Sequence, residues 1–197
     1  ADSLRHKYFF SKFLKSEKIN VLKCFSETTS AAKNKEYVDL ENIKAVHFNE
    51  RARVEYDFFH EYVNQNFSNE KIVKLNRGEV NSVSFEKELS ILNPDFVVCY
   101  GCSILSPKLI ETFRGKILNV HLGLSPYYPG SGTNFHPLVG DLPELVGFTL
   151  MHIDEGIDTG EIIHQKRPRI NVYDNSHHVG CKIIQEMTND YIRLISE

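Results

Sequence analysis

The chain has 197 residues, which fits one α/β domain or at most a domain with a small appendage. With 41% hydrophobic and 25% charged residues it can fill a real core and falls outside the disordered classes. Net charge is −3 and pI about 6.3, which argues against a dedicated nucleic-acid surface, normally basic.

No apolar run approaches a membrane span and no signal-peptide pattern opens the sequence. The cysteines, Cys24, Cys99, Cys102 and Cys181, are too few and scattered for a secreted disulfide scaffold, so a cytoplasmic location is expected.

From Ser3 to about Leu14 the spacing predicts an amphipathic helix with Leu4, Tyr8, Phe9, Phe13 and Leu14 inward. There is no initiator Met, and α/β domains usually open on a strand, so residues including a first strand are expected ahead of Ala1. Lys18–Ser26 reads as a strand, and Glu27–Asn42 as a polar loop or irregular helix. Ile43–Phe48 reads as a short strand. Asn49–Phe67 carries Val54, Phe58, Phe59, Tyr62, Val63 and Phe67 at helical spacing. Asn76–Asn81 is a turn, and Ser82–Leu92 a helix ended by Asn93-Pro94, because the residue before proline avoids the α region.

Asp95–Tyr100 is a continuous apolar strand of the kind buried on both faces. Ser106-Pro107 has the form of an N-cap with proline at the first helical position, leading Lys108–Phe113. Lys116–His121 is the central strand and Thr133–Val139 a short helix. Leu145–Asp154 and Glu161–Ile170 are two strands, open to forming a hairpin, and His177–Ser196 is a closing amphipathic helix. The alternation of strands and helices predicts a mostly parallel, doubly wound sheet.

The central strand carries the candidate chemistry. Side chains alternate along a strand, so Asn119 and His121 share a face, with Val120 on the other. Ligands of open parallel sheets collect beyond the carboxyl ends of the strands. A Gly/Pro-rich loop follows until about Thr133, and some thirty residues on comes IDEGIDTGEII, with Asp154, Glu155 and Asp158. A strand-end Asn alone reads as a turn cap, and a His alone as a satisfied core residue. Together, with an acid-rich loop downstream, Asn119, His121 and Asp158 suit acyl or formyl transfer. The imidazole handles the proton of an attacking amine, the asparagine amide donates to the developing oxyanion, and the carboxylate orients the imidazole.

Other features read as structural. Cys99 and Cys102 form a CxxC, but Cys99 lies in a buried strand, not at a helix N-terminus, and no second pair exists for zinc. Gly130-Ser-Gly-Thr133 could offer backbone N–H groups to an anion, without the GK[ST] ending of a P-loop. Lys166, Arg167 and Arg169 read as a solvated basic run, and His177-His178 as surface. Asp154, Glu155 and Asp158 lack the partners of a convincing metal set, so no metal is expected.

Asn119-Val-His121, then Leu124-Ser125-Pro126-Tyr-Tyr-Pro129-Gly130, then Asp154-Glu-Gly-Ile-Asp158-Thr-Gly160 resemble in order and spacing the formyltransferases that use 10-formyltetrahydrofolate. That family includes glycinamide ribonucleotide and methionyl-tRNA formyltransferases and the N-formyltransferases of nucleotide-linked amino sugars. The resemblance spans about Asp95 to Ile170, and LRHKYFFSKF is similar to the first helix of sugar-type members. It implies a Rossmann-like fold, a single catalytic domain over residues 1–197 lacking its first strand, and Asn119, His121 and Asp158 as catalytic triad. It also implies a folate pterin held between Gly101, Ser103, Ile104 and Leu105 on one side and Asp154, Gly156 and Ile157 on the other.

The sequence departs from that pattern in three ways. Where many members carry a His, this chain has Met151, and His152 points to the opposite face. The glycinamide ribonucleotide enzymes hold substrate phosphate with a Gly-rich loop after a first strand, and this sequence begins beyond that point. The methionyl-tRNA enzymes have a further C-terminal domain and a basic face. The expected acceptor is therefore a small-molecule amine, preferably an amino sugar attached to a nucleotide, with a homodimer left open. The alternatives are glycinamide ribonucleotide or methionyl-tRNA formylation, a 10-formyltetrahydrofolate hydrolase, and a non-catalytic folate-binding module.

Overall fold

Strand β4 (Ile117–His121) divides its side chains between two cores, and the rest of the fold is arranged around that division. The structure, a computed structural model, describes residues 3–28, 42–62 and 71–197. Leu118 and Val120 pack on one side against α1 (Leu4–Leu14), α2 (Ile43–Phe59) and α6 (Ser176–Leu194), through Tyr8, Phe13, Val54, Phe59, Ile183 and Met187. Ile117 packs on the other side with α3 (Val83–Leu92) and α4 (Pro107–Thr112), through Phe85, Leu89, Leu109 and Ile110. Phe59, Ile183 and Met187 are wholly excluded from water, and each such side chain contributes roughly 1.5–3 kcal/mol.

Helices thus cover both faces of a Rossmann-like α/β fold, the expected class. Strand β3 (Val97–Cys99) pairs parallel with β4. The expected hairpin, β5 (Phe148–His152) and β6 (Ile162–Lys166), completes the sheet antiparallel, in the order β3-β4-β5-β6. Strands β1 (Cys24–Glu27) and β2 (Ile72–Leu75) form a separate parallel pair. The Glu27 carboxylate ties that pair to the rest, accepting from Gly78 N at 2.6 Å and from Ser103 N at 2.7 Å. Among the described residues, no helix is long and apolar enough to cross a membrane.

Helix boundaries follow their caps. Ser82 Oγ accepts from Phe85 N, and Asn93 ends α3 in the left-handed region, which asparagine tolerates, just before Pro94. Ser106 caps α4 with Pro107 at its first position, as the sequence predicts. Asn175 and His178 make a reciprocal capping box at the start of α6.

Three expectations are corrected. Ile43–Phe48 is the first part of α2, not a strand. Asn42 caps the helix by accepting from Lys44 N, and the apolar residues that suggested a strand, Ile43, Val46 and Phe48, point outward while Ala45, Val54 and Phe59 point in. The strand expected at Lys18–Ser26 shrinks to Cys24–Glu27, the stretch that pairs among the described residues, and its partner β2 was not suggested by the sequence. Strand β3 stands at the edge of its sheet, so Phe96 is exposed and Val97 and Val98 are half-buried instead of buried on both faces. The loop or irregular helix expected at Glu27–Asn42 and the end of the helix expected at Val63 and Phe67 fall largely or wholly outside the described residues.

Candidate active site

Asn119 and His121 end β4 on the same face, as strand alternation requires. The third side chain arrives by a route the sequence did not disclose. Strand β5 is antiparallel, so it ends beside the start of β4, where Ile153 N donates to Ile117 O at 3.0 Å. The loop to β6 then doubles back along β4 and delivers Asp158 to its carboxyl end. Gly160 makes that return possible, since a Cβ there would strike the His152 carbonyl. Asp158 itself has φ 55°, in the left-handed region that Asp and Asn enter more readily than other side chains.

The Asp158 carboxylate is the hub. Oδ1 accepts from Asn119 Nδ2 at 3.0 Å, and Oδ2 accepts from Gly130 N at 2.8 Å. Oδ2 also lies 3.2 Å from His121 Nδ1, an ion-pair distance when the ring is protonated. At the start of the Gly130-Ser-Gly-Thr133 segment, the Gly130 N–H is thus given to the protein's own carboxylate. His121 Nε2 stands 2.8 Å from the Tyr128 carbonyl, and a carbonyl only accepts, so Nε2 carries the hydrogen in this arrangement. The His121 side chain is 3% exposed and that of Asp158 12%, which strengthens electrostatic contacts between them. Asn119 uses one amide N–H on Asp158, and an amide has two, so among the described residues the second is seen without an acceptor.

Side chains from β5 and β6 hold the intervening loop. Thr149, fully buried, donates to Gly123 O at 2.7 Å and accepts from Ser125 N at 3.0 Å. Gln165 Nε2 reaches Ser125 O at 2.8 Å and Thr149 Oγ1 at 3.0 Å. Gly123 has no room for a side chain, because a Cβ would lie 2.5 Å from His121 Nε2 and 2.8 Å from Thr133 Cβ. Thr133 and Asn134 both donate to Leu122 O, pinning the far end of the loop to the residue after His121. Nothing in the sequence marked Thr149 or Gln165, because their roles depend on pairing across strands; Tyr128 lies in the quoted loop, but the contact of its backbone carbonyl with His121 depends on the path of that loop.

Residues 17–195 match the model of the formyl transferase family. The chain belongs to that family. The chain is 38% identical over 102 residues to the methionyl-tRNA formyltransferase of Thermodesulfovibrio yellowstonii, covering 51% of this chain and 32% of that one. Over 83 residues it is 36% identical to the phosphoribosylglycinamide formyltransferase of Bacillus subtilis, covering 41% and 40%. Among solved structures, the phosphoribosylglycinamide formyltransferase of Anaplasma phagocytophilum superposes with a TM-score of 0.65 over 100% of this chain and 81% of that one, at 16% identity, a likeness of fold. The matches cover 32% to 40% of the curated relatives' own length.

Within this formyl transferase chain, the residues expected to line a folate site divide by exposure. Ile104 is 76% and Ile157 57% exposed, two apolar side chains open to solvent. Leu105 is buried in the α3/α4 core, and Ser103 N is already taken by Glu27. Gly101, with φ 64°, makes the turn after β3. Asp154 shapes its own loop, its Oδ1 accepting from Gly156 N at 3.0 Å and from Thr159 Oγ1 at 2.8 Å. The Cys99 thiol is raised by its hydrogen bond to Cys102 and by burial, while the same bond lowers Cys102, and all four cysteines are free.

Two further histidine expectations are resolved. Met151 is buried, and His152, on the opposite face, has Nδ1 buried without a partner among the described residues. His177 and His178 are partly buried, not free on the surface: His178 closes the α6 cap, and His177 packs against His47 with ring centroids 4.7 Å apart.

Proposed function

We propose that the protein transfers a formyl group from 10-formyltetrahydrofolate to an amine, preferably a small acceptor such as an amino sugar attached to a nucleotide. The observation that carries this reading is the convergence of Asn119, His121 and Asp158 at one strand end. The folate, when bound, supplies an electrophilic formyl carbon, and the exposed Ile104 and Ile157 would give its pterin apolar contact. The amine nitrogen bonds to that carbon, the bond to the folate nitrogen breaks, and one proton passes from the amine to the departing nitrogen.

Each residue has a separate task in that exchange. The uncommitted N–H of Asn119 meets the carbonyl oxygen as it gains charge. His121 carries the proton, its Nε2 leaving the Tyr128 carbonyl to do so. Asp158 fixes both partners with a single carboxylate. The net negative charge of the chain supports a small acceptor over a long polyanion.

The test is a screen of amines with 10-formyltetrahydrofolate, following formylated product and formate separately. Product that depends on the amine is expected. Formate released equally without any amine would make the protein a hydrolase, and folate binding without turnover would make it a binding module. His121→Ala should lose most turnover with an unaltered circular dichroism spectrum, and near-normal activity would remove the proton-carrier role.

A further inference from the structure

We propose that Cys99 and Cys102 form an oxidation site for peroxides, closing into a disulfide at the rim of the proposed folate site. The site itself stands without the transferase reading, and its effect on folate rests on that reading.

Position ties the pair to the reaction. Cys99 ends β3 and is the register partner of Asn119. The turn that carries Cys102 therefore lies beside the carboxyl end of β4, where the triad converges. Chain geometry brings the two sulfurs together. Gly101, the third residue of Cys99-Tyr-Gly-Cys102, has φ 64°, the left-handed value that a type II turn needs at that place. A turn of that kind holds its first and fourth Cα atoms within about 7 Å. A disulfide spans Cα separations of roughly 4.4–6.8 Å, so closure asks little of the backbone.

The two thiols differ in the way a reacting pair requires. Cys99 is buried and Cys102 is exposed. Cys99 donates its S–H to Cys102, which favours a thiolate on the exposed member and keeps the proton on the buried one. Burial and the Glu27 carboxylate work against a thiolate at Cys102, and the bond from Cys99 outweighs them. In thioredoxin-like pairs a helix N-terminus supplies that bias. Here the neighbouring thiol supplies it, at a strand end.

The chemistry balances with hydrogen peroxide as the one co-reactant. The Cys102 thiolate attacks a peroxide oxygen, the O–O bond breaks, and the departing oxygen leaves as water after taking up a proton. Cys102 is then a sulfenic acid. The Cys99 sulfur attacks that sulfur, the S–O bond breaks, and hydroxide leaves with the Cys99 proton as a second water. The thiols are oxidised by two electrons and the peroxide is reduced by two. In a reducing compartment the pair rests as thiols until such an oxidant arrives.

The consequence falls on the folate side. Glu27 holds Ser103 N at 2.7 Å, and Asn81 Nδ2 holds Ile104 O at 2.9 Å. Cys99 is fixed in β3. A disulfide therefore tightens the residues between these anchors, Tyr100 to Cys102, and shifts Gly101 against the exposed Ile104.

The experiment treats reduced protein with hydrogen peroxide, removes the excess with catalase, alkylates the remaining thiols in denaturant and maps the peptides by mass spectrometry. Cys99 and Cys102 should be lost together as one disulfide, while Cys24 and Cys181 stay alkylated. Cys102→Ser should leave its remaining cysteines as thiols. Cys99→Ser should stop at a Cys102 sulfenic acid, trapped by dimedone, and Cys99→Ala covers the case in which Cys99→Ser does not fold. Oxidation spread evenly over all four cysteines, or thiol loss in Cys102→Ser equal to that of the wild type, would overturn the site.

A second arm measures 5-formyltetrahydrofolate, a stable isomer of the donor, by calorimetry before and after peroxide. Oxidation should weaken its binding by about fivefold or more, the lower end of coupling between two sites, and dithiothreitol should restore it. Cys102→Ser should bind alike in both conditions. Equal affinity of the reduced and oxidised wild type would overturn the link to the folate site. A disulfide that forms in a protein binding no folate in either state would uphold the oxidation site and discard the transferase reading.

Discussion

At the end of β4 two polar regions meet, built in opposite ways. On one side the Asp158 carboxylate is matched: Asn119, Gly130 and His121 surround it, and buried backbone and side-chain partners fix the loop that carries Gly130. On the other side two guanidinium groups, of Arg5 on α1 and Arg51 on α2, share the one carboxylate of Glu55. The first arrangement suits groups that must be held still while a bond is exchanged. The second holds α1 against α2. The difference teaches that a carboxylate enclosed by three partners fixes a loop at a strand end, whereas one shared between two helices fixes the helices.

The sharpest way to break this contrast is to unbalance the closed side. Asp158→Asn keeps the shape and tolerates the φ of 55°, where Ala would add backbone strain. It turns one carboxylate oxygen into a donor facing Asn119, Gly130 or His121. Turnover should fall by about 10³–10⁴, as when a carboxylate that orients a catalytic imidazole is neutralised, with the melting temperature nearly preserved. Asn119→Ala should cost somewhat less, about 10²–10³ and chiefly in kcat, the size of one oxyanion donor. A rise in the folate KM alone would make Asn119 a binder.

How much of this could be read from the chain depends on the range of the interactions. Asn119 and His121 were legible because strand alternation is local, and the caps at Ser82 and Ser106 because they act over three residues. Asp158 was legible as a site acid but not its path, since the antiparallel direction of β5 is decided by pairing with β4. The cavity between α1, α2 and α6 was missed altogether. Arg5, Arg51 and His177 lie on three helices with a hundred residues and more between the last two, and His177 was read as surface because a single sequence does not show what packs against a helix start. Helix α2 was misread for a related reason: its outward face carries Ile43, Val46 and Phe48, so local apolarity pointed the wrong way.

A smaller effect probes the scaffold beneath the closed side. Thr149→Val keeps the shape and volume while removing the hydroxyl that serves Gly123, Ser125 and Gln165. Ser125 N is then buried without an acceptor. Unfolding in denaturant should show a loss of about 1–3 kcal/mol, the cost of leaving such a group unpaired. If the loop is only a tether, turnover will follow stability; if it sets the geometry of Gly130 and Asp158, turnover will fall in protein that is still fully folded.

The smallest expected effect lies at the start of α6, which brings His177 to the cavity. Asp174 is held below the usual carboxylate range by Lys182, whose Nζ lies 2.6 Å from Oδ2 and 2.9 Å from Oδ1. A carboxylate with a depressed folded-state pKa contributes stability that is fully present above its ordinary value, about 3.9, and is lost as pH falls through the depressed one. Chemical denaturation from pH 7 down to about 3 should therefore show Asp174→Asn less stable at neutral pH, by roughly 0.2–1 kcal/mol for a partly exposed pair, and converging with wild type in acid. Curves that stay parallel through that range would mean that the Lys182 contact holds no charge-dependent stability, and that α6 is anchored by the Asn175–His178 cap and its buried face alone.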